Sequence, residues 1–256
     1  MLQPVPFIDF QGRRVVLSGA SSGIGRAIAI ELSNRGAQLL LLGRDEPRLQ
    51  ETKAVLTGPE HAIAVVDLRD PSKLLSLLNN HAGQQGRFYG LCHCAGMVET
   101  VPLNAIRLDK FREMIEVNLV AGIELARIVS RRDLMREDGG SLLFISSVYA
   151  LAGMAGQIEY SATKGAVTAG IRSMAIELAR RQIRVNSISP GLVHTKLSDN
   201  ALRRLDPLRV QQLEALHPLG PGTPEDVARA AAFLLAPESR WITGTDLIVD
   251  GGYTAQ

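Results

Sequence analysis

Tyr160 and Lys164 stand four residues apart in Tyr160-Ser161-Ala162-Thr163-Lys164, a spacing that puts both side chains on one face of a helix. The arrangement sets an ammonium beside a phenol. A free phenol has a pKa of about 10, too high for ready proton exchange near neutral pH. A positive charge roughly 5 Å away, at an effective dielectric of about 20, favours the phenolate by about 3 kcal/mol, on the order of two pKa units. The spacing therefore predicts a phenol drawn down far enough to serve as acid or base. Ser147 stands thirteen residues upstream, and a glycine loop lies well before it. Together these residues imply an enzyme that moves a proton with Tyr160 and uses a cofactor held by the loop.

The loop is Ser18-Gly19-Ala20-Ser21-Ser22-Gly23-Ile24-Gly25. Glycines there permit a tight turn and let backbone N–H groups approach a pyrophosphate. The spacing is G-x-x-x-G-x-G and not the commoner G-x-G-x-x-G. The nucleotide is selected at the end of the second predicted strand, where a carboxylate suits the ribose of NAD(H). Here Gly43 is followed by Arg44, whose guanidinium can pair with a 2′-phosphate. NADP(H) is thus preferred and NAD(H) allowed. Asp45, the next residue, weighs against that preference. Asp67, at the end of the third predicted strand, is a candidate for the adenine through its side chain or the Leu68 backbone. A turn or helix-entry role before Pro71 accounts for Asp67 equally well.

Short apolar runs alternate with helical patterns along the whole chain. Strands are predicted over 13–18, 38–42, 62–66, 89–93, 141–145, 184–188 and 247–249. Helices are predicted over 25–35, 46–55, from Pro71 to near His81, 108–132, 158–181 and 224–235. The stretch 192–222 is less regular. This alternation implies α/β architecture: a single doubly wound domain over 1–256, with a parallel seven-stranded sheet flanked by helices and no linker or repeat. Ligands of such sheets bind outside the carboxyl ends of the strands, at the switch in strand order. Every motif above falls at those ends.

Composition excludes several classes. A chain of 256 residues, 46% hydrophobic, buries a core without disulfide help. A formal charge of +2 gives no support to nucleic-acid binding. No apolar run approaches the roughly twenty residues that span a bilayer, so no membrane role is expected. The start, Met1-Leu2-Gln3-Pro4-Val5-Pro6, lacks the basic-then-apolar pattern of a secretory signal, and Cys92 and Cys94 build no disulfide framework. A cytoplasmic location fits. On a strand the two cysteines share one face and His93 takes the other, so no metal site is expected.

The chain resembles the compact short-chain dehydrogenase/reductases over nearly its whole length. The resemblance rests on Ser18 to Gly25, Cys94-Ala95-Gly96, Asn118, Ser147, Tyr160-x-x-x-Lys164, Pro190-Gly191 and Asp250-Gly251-Gly252. It implies a Rossmann fold and an oxidoreductase. Tyr160 would give a proton to a carbonyl oxygen in reduction, or take one from an alcohol in oxidation. Lys164 would lower the phenol pKa and bond the nicotinamide ribose, Ser147 would hold and polarise the carbonyl, and Asn118 would anchor a water of the proton relay. The cofactor would lie against Gly19, Ser21, Ser22, Gly23, Ile24, Gly25, Arg44, Asp67, Leu68, Cys94, Ala95, Gly96, Tyr160, Lys164, Pro190, Gly191, Val193 and Thr195. Tyr149, Met154 and Ile158 would line the substrate pocket beside Ser147 and Tyr160. Two residues depart from the family's pattern: Cys94 stands where an Asn is usual, and Ser18 where a Thr is usual.

Substrate choice in this family sits in the segment after Pro190-Gly191, here a lid over about 192–222. Leu197, Leu202, Leu205, Leu208, Val210, Leu213 and Leu216 give it an amphipathic pattern that suits an apolar cleft or simple packing. Arg127, Arg131, Arg132 and Arg136 gather near the end of one long helix, and Arg172, Arg180, Arg181 and Arg184 near the other. Helix-dipole complementarity accounts for them. So does docking of an acidic acyl carrier protein, as in the 3-oxoacyl-(acyl-carrier-protein) reductases that the chain resembles. The resemblance also implies a homotetramer or homodimer. The expected activity is NADPH-dependent reduction of a ketone or 3-oxoacyl substrate, free or as an acyl thioester. The alternative is an NAD(P)-dependent dehydrogenase oxidising a secondary alcohol of a sugar, polyol or steroid. A catalytically inactive cofactor-binding scaffold would leave Asn118, Ser147, Tyr160 and Lys164 without purpose.

Overall fold

Val15, Val16 and Leu17 are all fully buried, which consecutive strand residues achieve only when both faces of their sheet are covered. They lie in β1 (Arg14–Ser18) of a computed structural model that describes residues 8–58, 60–203 and 206–255. The stretch Met1 to Pro6, read above for a leader, and Leu205 of the lid fall outside the described residues. The chain continues through α1 (Gly23–Asn34), β2 (Gln38–Gly43), α2 (Glu46–Lys53), β3 (Ala62–Val65), α3 (Leu74–Gln85) and β4 (Gly90–His93). Next come α4 (Leu108–Ile115), α5 (Ala121–Val129), β5 (Gly140–Ile145), α6 (Ile158–Leu178) and β6 (Ile183–Pro190). The last elements are α7 (Lys196–Leu202), α8 (Pro207–Ala215), α9 (Pro224–Leu235) and β7 (Asp246–Val249).

The strands form one seven-stranded parallel sheet in the order β3-β2-β1-β4-β5-β6-β7, a Rossmann fold. Successive side chains of each strand serve opposite cores. Val15 and Leu17 join Ile28 and Leu32 of α1 and Val227 and Ala231 of α9 on one face. Val16 joins Leu74 of α3, Leu125 of α5 and Ile171 of α6 on the other. Strand order reverses at β1, whose Ser18 pairs with Leu42 of β2 on one side and His93 of β4 on the other. Ligands of such sheets bind at that switch.

Three elements differ from the sequence reading. The helix expected over 108–132 is two helices joined by a π-helical turn, Glu116–Val120, and it ends at Val129. The helix expected over 158–181 is α6 followed by a 3-10 turn, Ala179–Arg181, where Gln182 takes the left-handed conformation. The irregular 192–222 segment carries α7 and α8, the latter capped by the Asp206 carboxylate accepting from the Leu208 N–H.

Candidate active site

The glycine loop leaves β1 at Ser18. Gly19 has φ +72°, and a Cβ there would lie 2.6 Å from the Ala95 nitrogen, so only glycine allows this turn against the end of β4. A Cβ at Gly25 would strike the Gly19 carbonyl. α1 begins at Gly23 after an extended Ser22 whose side chain caps nothing, which leaves the first N–H groups of the helix for an anion. Thr195 hangs over this end, since a Cβ on Gly23 would sit 3.3 Å from its Cγ2. Thr195 is fixed in turn by Ser198, whose Oγ accepts from the Thr195 N–H at 2.8 Å.

Ser147 lies just past β5, with its hydroxyl accepting from the Tyr149 N–H at 3.3 Å. α6 carries Tyr160 and Lys164 together, with Nζ 5.6 Å from the centroid of the phenol ring. Lys164 is 3% exposed, and its ammonium donates to the Ile145 carbonyl at 2.7 Å. Burial draws its pKa down to about 8, opposed in part by Cys94. Burial also pushes Tyr160 up to about 12, moderated by the nearby Ser147 hydroxyl. This corrects the expectation of a phenol drawn down by its lysine. The cost of burying a phenolate dominates, and the ammonium is turned toward a carbonyl. At neutral pH Tyr160 keeps its proton and Lys164 its charge.

Asn118 sits in the π-helical turn, a feature that gathers at functional sites. Its side chain is fully buried and both its N–H groups are used. Nδ2 donates to the Met97 carbonyl at 2.9 Å and to Thr163 Oγ1 at 3.0 Å, and Oδ1 accepts from the Met97 N–H at 2.7 Å. The carboxamide thus clamps the loop after β4 to α6, one residue before Lys164. A Cβ on Gly96 would lie 3.5 Å from both Asn118 Oδ1 and Lys164 Nζ, so Asn118 and Lys164 meet around Gly96.

His93 steadies that turn, a role the sequence reading missed. Its Nε2 lies 3.1 Å from the Val117 carbonyl and its Nδ1 lies 2.8 Å from Ser18 Oγ. A carbonyl only accepts, so Nε2 carries the hydrogen and Nδ1 accepts from Ser18. Burial, with help from the Lys164 charge, drops the ring's pKa to about 3, so it is neutral. Ser18 Oγ also accepts from the Ala95 N–H at 3.3 Å. A continuous line of hydrogen bonds runs from Ala95 through Ser18 and His93 to the turn that bears Asn118. Cys92 and Cys94 pack on the opposite face of β4, and burial pushes the Cys94 thiol up to about 12.

Arg44 follows β2 and is exposed. The carboxylate of Asp45 caps α2 by accepting from the Arg48 N–H at 3.1 Å. Asp67 is gripped by Arg69 through the guanidinium and the backbone N–H, and that pairing lowers its pKa to about 2. The turn role foreseen for Asp67 is therefore realised, while Leu68 is buried.

β6 ends at Pro190, and the Gly191 N–H donates to the Val249 carbonyl at 3.0 Å. Leu192 N–H donates to His217 Nε2 at 2.9 Å, and that ring stacks on Tyr253 with centroids 5.0 Å apart. Val193 is buried and bridges to Gly222. The Tyr149 ring stands edge-on to Tyr160 at 6.4 Å, Met154 is half-buried, and Ile158 is 45% exposed at the start of α6. The arginine patch disperses on inspection. Arg127, Arg131 and Arg136 pair with Glu124, Asp133 and Asp138, and Arg181 bonds the Ser130 carbonyl. Arg184 is buried and caps the end of α9 through the Leu234, Leu235 and Ala236 carbonyls, so it forms no part of a surface.

An anion-ready helix start behind a glycine turn fits the phosphates of a dinucleotide. Residues 19–254 match the family described as Enoyl-(Acyl carrier protein) reductase. The chain is 34% identical over 256 residues to a glucose 1-dehydrogenase of Gluconobacter oxydans (strain 621H), covering 98% of this chain and 96% of that one. It is 33% identical over 250 residues to the 3-oxoacyl-(acyl-carrier-protein) reductase FabG of Chlamydia pneumoniae, covering 96% and 99%. A solved Beutenbergia cavernae structure assigned as an NAD(P)-dependent gluconate 5-dehydrogenase, with NADP bound at low occupancy, superposes with a TM-score of 0.89. It is 31% identical and covers 98% of this chain and all of that one. The chain belongs to the short-chain dehydrogenase/reductase family. It is an NAD(P)(H)-dependent oxidoreductase of the kind that acts on CH–OH and C=O groups. Among the described residues, no helix is long and apolar enough to cross a membrane.

Proposed function

We propose that this chain is an NADPH-dependent reductase of a ketone or 3-oxoacyl substrate in which Tyr160 donates the proton. The supporting observation is a buried phenol that keeps its proton at neutral pH, with the buried Lys164 ammonium 5.6 Å from its ring centroid. The bound nicotinamide supplies the hydride. The Ser147 hydroxyl holds the carbonyl oxygen, and Tyr160 gives its proton to that oxygen as negative charge develops there. The Lys164 ammonium offsets the charge left on the phenolate. Asn118 keeps the loop at Gly96 and Met97 fixed against α6.

The turn at Gly19, the open N-terminus of α1, the Cys94-Ala95-Gly96 turn, and Pro190, Gly191, Val193 and Thr195 hold the dinucleotide. Arg44, whose guanidinium has no hydrogen-bond or ion-pair partner among the described residues, favours NADP(H) over NAD(H). The chain works as one domain with 192–222 as substrate lid, and Tyr149, Met154 and Ile158 line the pocket. Exposed Ile176, Leu219 and Trp241 suit burial between copies in a homotetramer, in the cytoplasm. Docking of an acyl carrier protein gains little from the arginines, most of which have local partners.

The similarity to a glucose 1-dehydrogenase favours a second reading, oxidation of a secondary or anomeric sugar alcohol through the same residues. The test follows cofactor absorbance in both directions. NADPH consumption with 3-oxoacyl thioesters or ketones supports reduction. Turnover confined to sugars with the oxidised cofactor replaces it with the second reading.

A further inference from the structure

We infer that Arg69 is a second specificity-determining cation, which joins Arg44 in binding the 2′-phosphomonoester of NADP(H), with Asp67 as the residue that positions it. The inference rests on the NADP(H) preference proposed above. Its first support is placement. Gly43 of β2 pairs with Val65 of β3, and the Val66 N–H donates to the Gly43 carbonyl at 2.9 Å. The chain therefore leaves β2 into Arg44 and β3 into Asp67 side by side. Arg69 folds back onto Asp67, with the Asp70 N–H donating to the Asp67 carbonyl at 3.0 Å to close the turn.

The second support is pre-organisation. Asp67 Oδ1 accepts from the Arg69 N–H at 3.0 Å, and Oδ2 accepts from Nε at 3.0 Å and Nη2 at 2.5 Å. A guanidinium has five N–H groups, and this grip uses two of them. The Nη1 pair and one Nη2 hydrogen remain, in the planar fork that matches phosphate oxygens. The side chain is 46% exposed, so that fork is open to a ligand. Exposed ion pairs add little stability, so the grip does more to aim Arg69 than to hold the fold.

The third support is the state of the other charges. NAD-selecting sites of this fold offer a carboxylate to the ribose hydroxyls. Here Asp45 caps α2 and Asp67 is gripped by Arg69, while Asp70 accepts from Ser72 and Glu113, whose charge reaches Arg69, pairs with Lys110, so each of these acids has a local partner. Arg44 makes no hydrogen bond or ion pair among the described residues, and its charge is felt by Asp67. A 2′-phosphate would meet two guanidiniums, with each nearby carboxylate already paired or capping.

The test measures NADPH and NADH affinity by cofactor fluorescence in the full chain and in Arg44→Gln, Arg69→Gln and Arg69→Lys. Arg69→Gln should weaken NADPH about tenfold and leave NADH within about twofold, since only the phosphate contact is lost. Arg69→Lys should recover part of the loss, because charge returns without the fork. Unchanged NADH binding serves as the check on folding. If Arg44→Gln is selective against NADPH while Arg69→Gln is not, the role of Arg69 is overturned and the NADP(H) preference stands. If the unaltered chain binds NADH as tightly as NADPH and Arg44→Gln changes nothing, the preference itself fails and the inference with it.

Discussion

Lys164 holds its ammonium 5.6 Å from the centre of the Tyr160 ring while donating to the Ile145 carbonyl at 2.7 Å. Burial raises the pKa of one partner and lowers that of the other, so the site rests as neutral phenol over cation. That is the protonation state a carbonyl reductase needs before each turnover.

Holding the ammonium is costly to the fold. Lys164 has a pKa of about 8 folded, against 10.5 for a lysine free in water. Below pH 8 both states bind the proton. Between pH 8 and 10.5 the unfolded chain binds it and the folded chain does not, so the contribution of Lys164 to stability rises with pH across that window. The shift corresponds to about 3 kcal/mol at neutral pH. Lys164→Met should therefore raise the melting temperature at pH 7 while reducing turnover about a hundredfold or more. Thermal melts at pH 7 and pH 10 check this, with the gap between variant and parent narrowing at the higher pH.

Activity should show the same pair. Reduction kcat/KM should stay level from pH 6 to about pH 8 and then fall as Lys164 loses its proton, because Tyr160 near 12 remains an acid throughout. A pH series at saturating cofactor reads this directly. A rate that climbs from pH 7 to pH 9 would show that the phenolate is the working form.

His93→Leu should strip the Val117 carbonyl and the Ser18 hydroxyl of a buried partner, at about 1–3 kcal/mol for each orphaned group. The π-helical turn would relax and Asn118 would shift against Met97. We expect kcat to fall about tenfold or more with NADPH affinity little changed, since small misplacements near the chemistry are amplified. His93→Asn, which retains a donor and an acceptor, should recover part of the loss. Unaltered kcat in His93→Leu would reduce the ring to core filling.

The parallel sheet and the Tyr-x-x-x-Lys helix were legible because each has a local signature, whereas the strand order was not. Alternating apolar runs mark strands buried on both faces, and Tyr-x-x-x-Lys is a one-turn spacing on a helix. What escaped was set by contacts across long sequence separations. His93 reads as part of a Cys-His-Cys triplet, and only the approach of Val117 and Ser18 gives it a purpose. Arg184 reads as one of a basic cluster until the end of α9, some fifty residues on, brings three carbonyls to it. The break in the 108–132 helix has no proline to announce it. The phenol pKa was misjudged in sign because spacing reveals the neighbouring charge but not the burial that outweighs it.

Proton donation by Tyr160 stands or falls with Tyr160→Phe. The substitution removes one hydroxyl and leaves the ring. With a carbonyl substrate that the parent reduces, kcat/KM should fall about a thousandfold while NADPH binding and the melting temperature stay close to the parent values. A variant that reduces the same carbonyl at the parent rate would contradict the account.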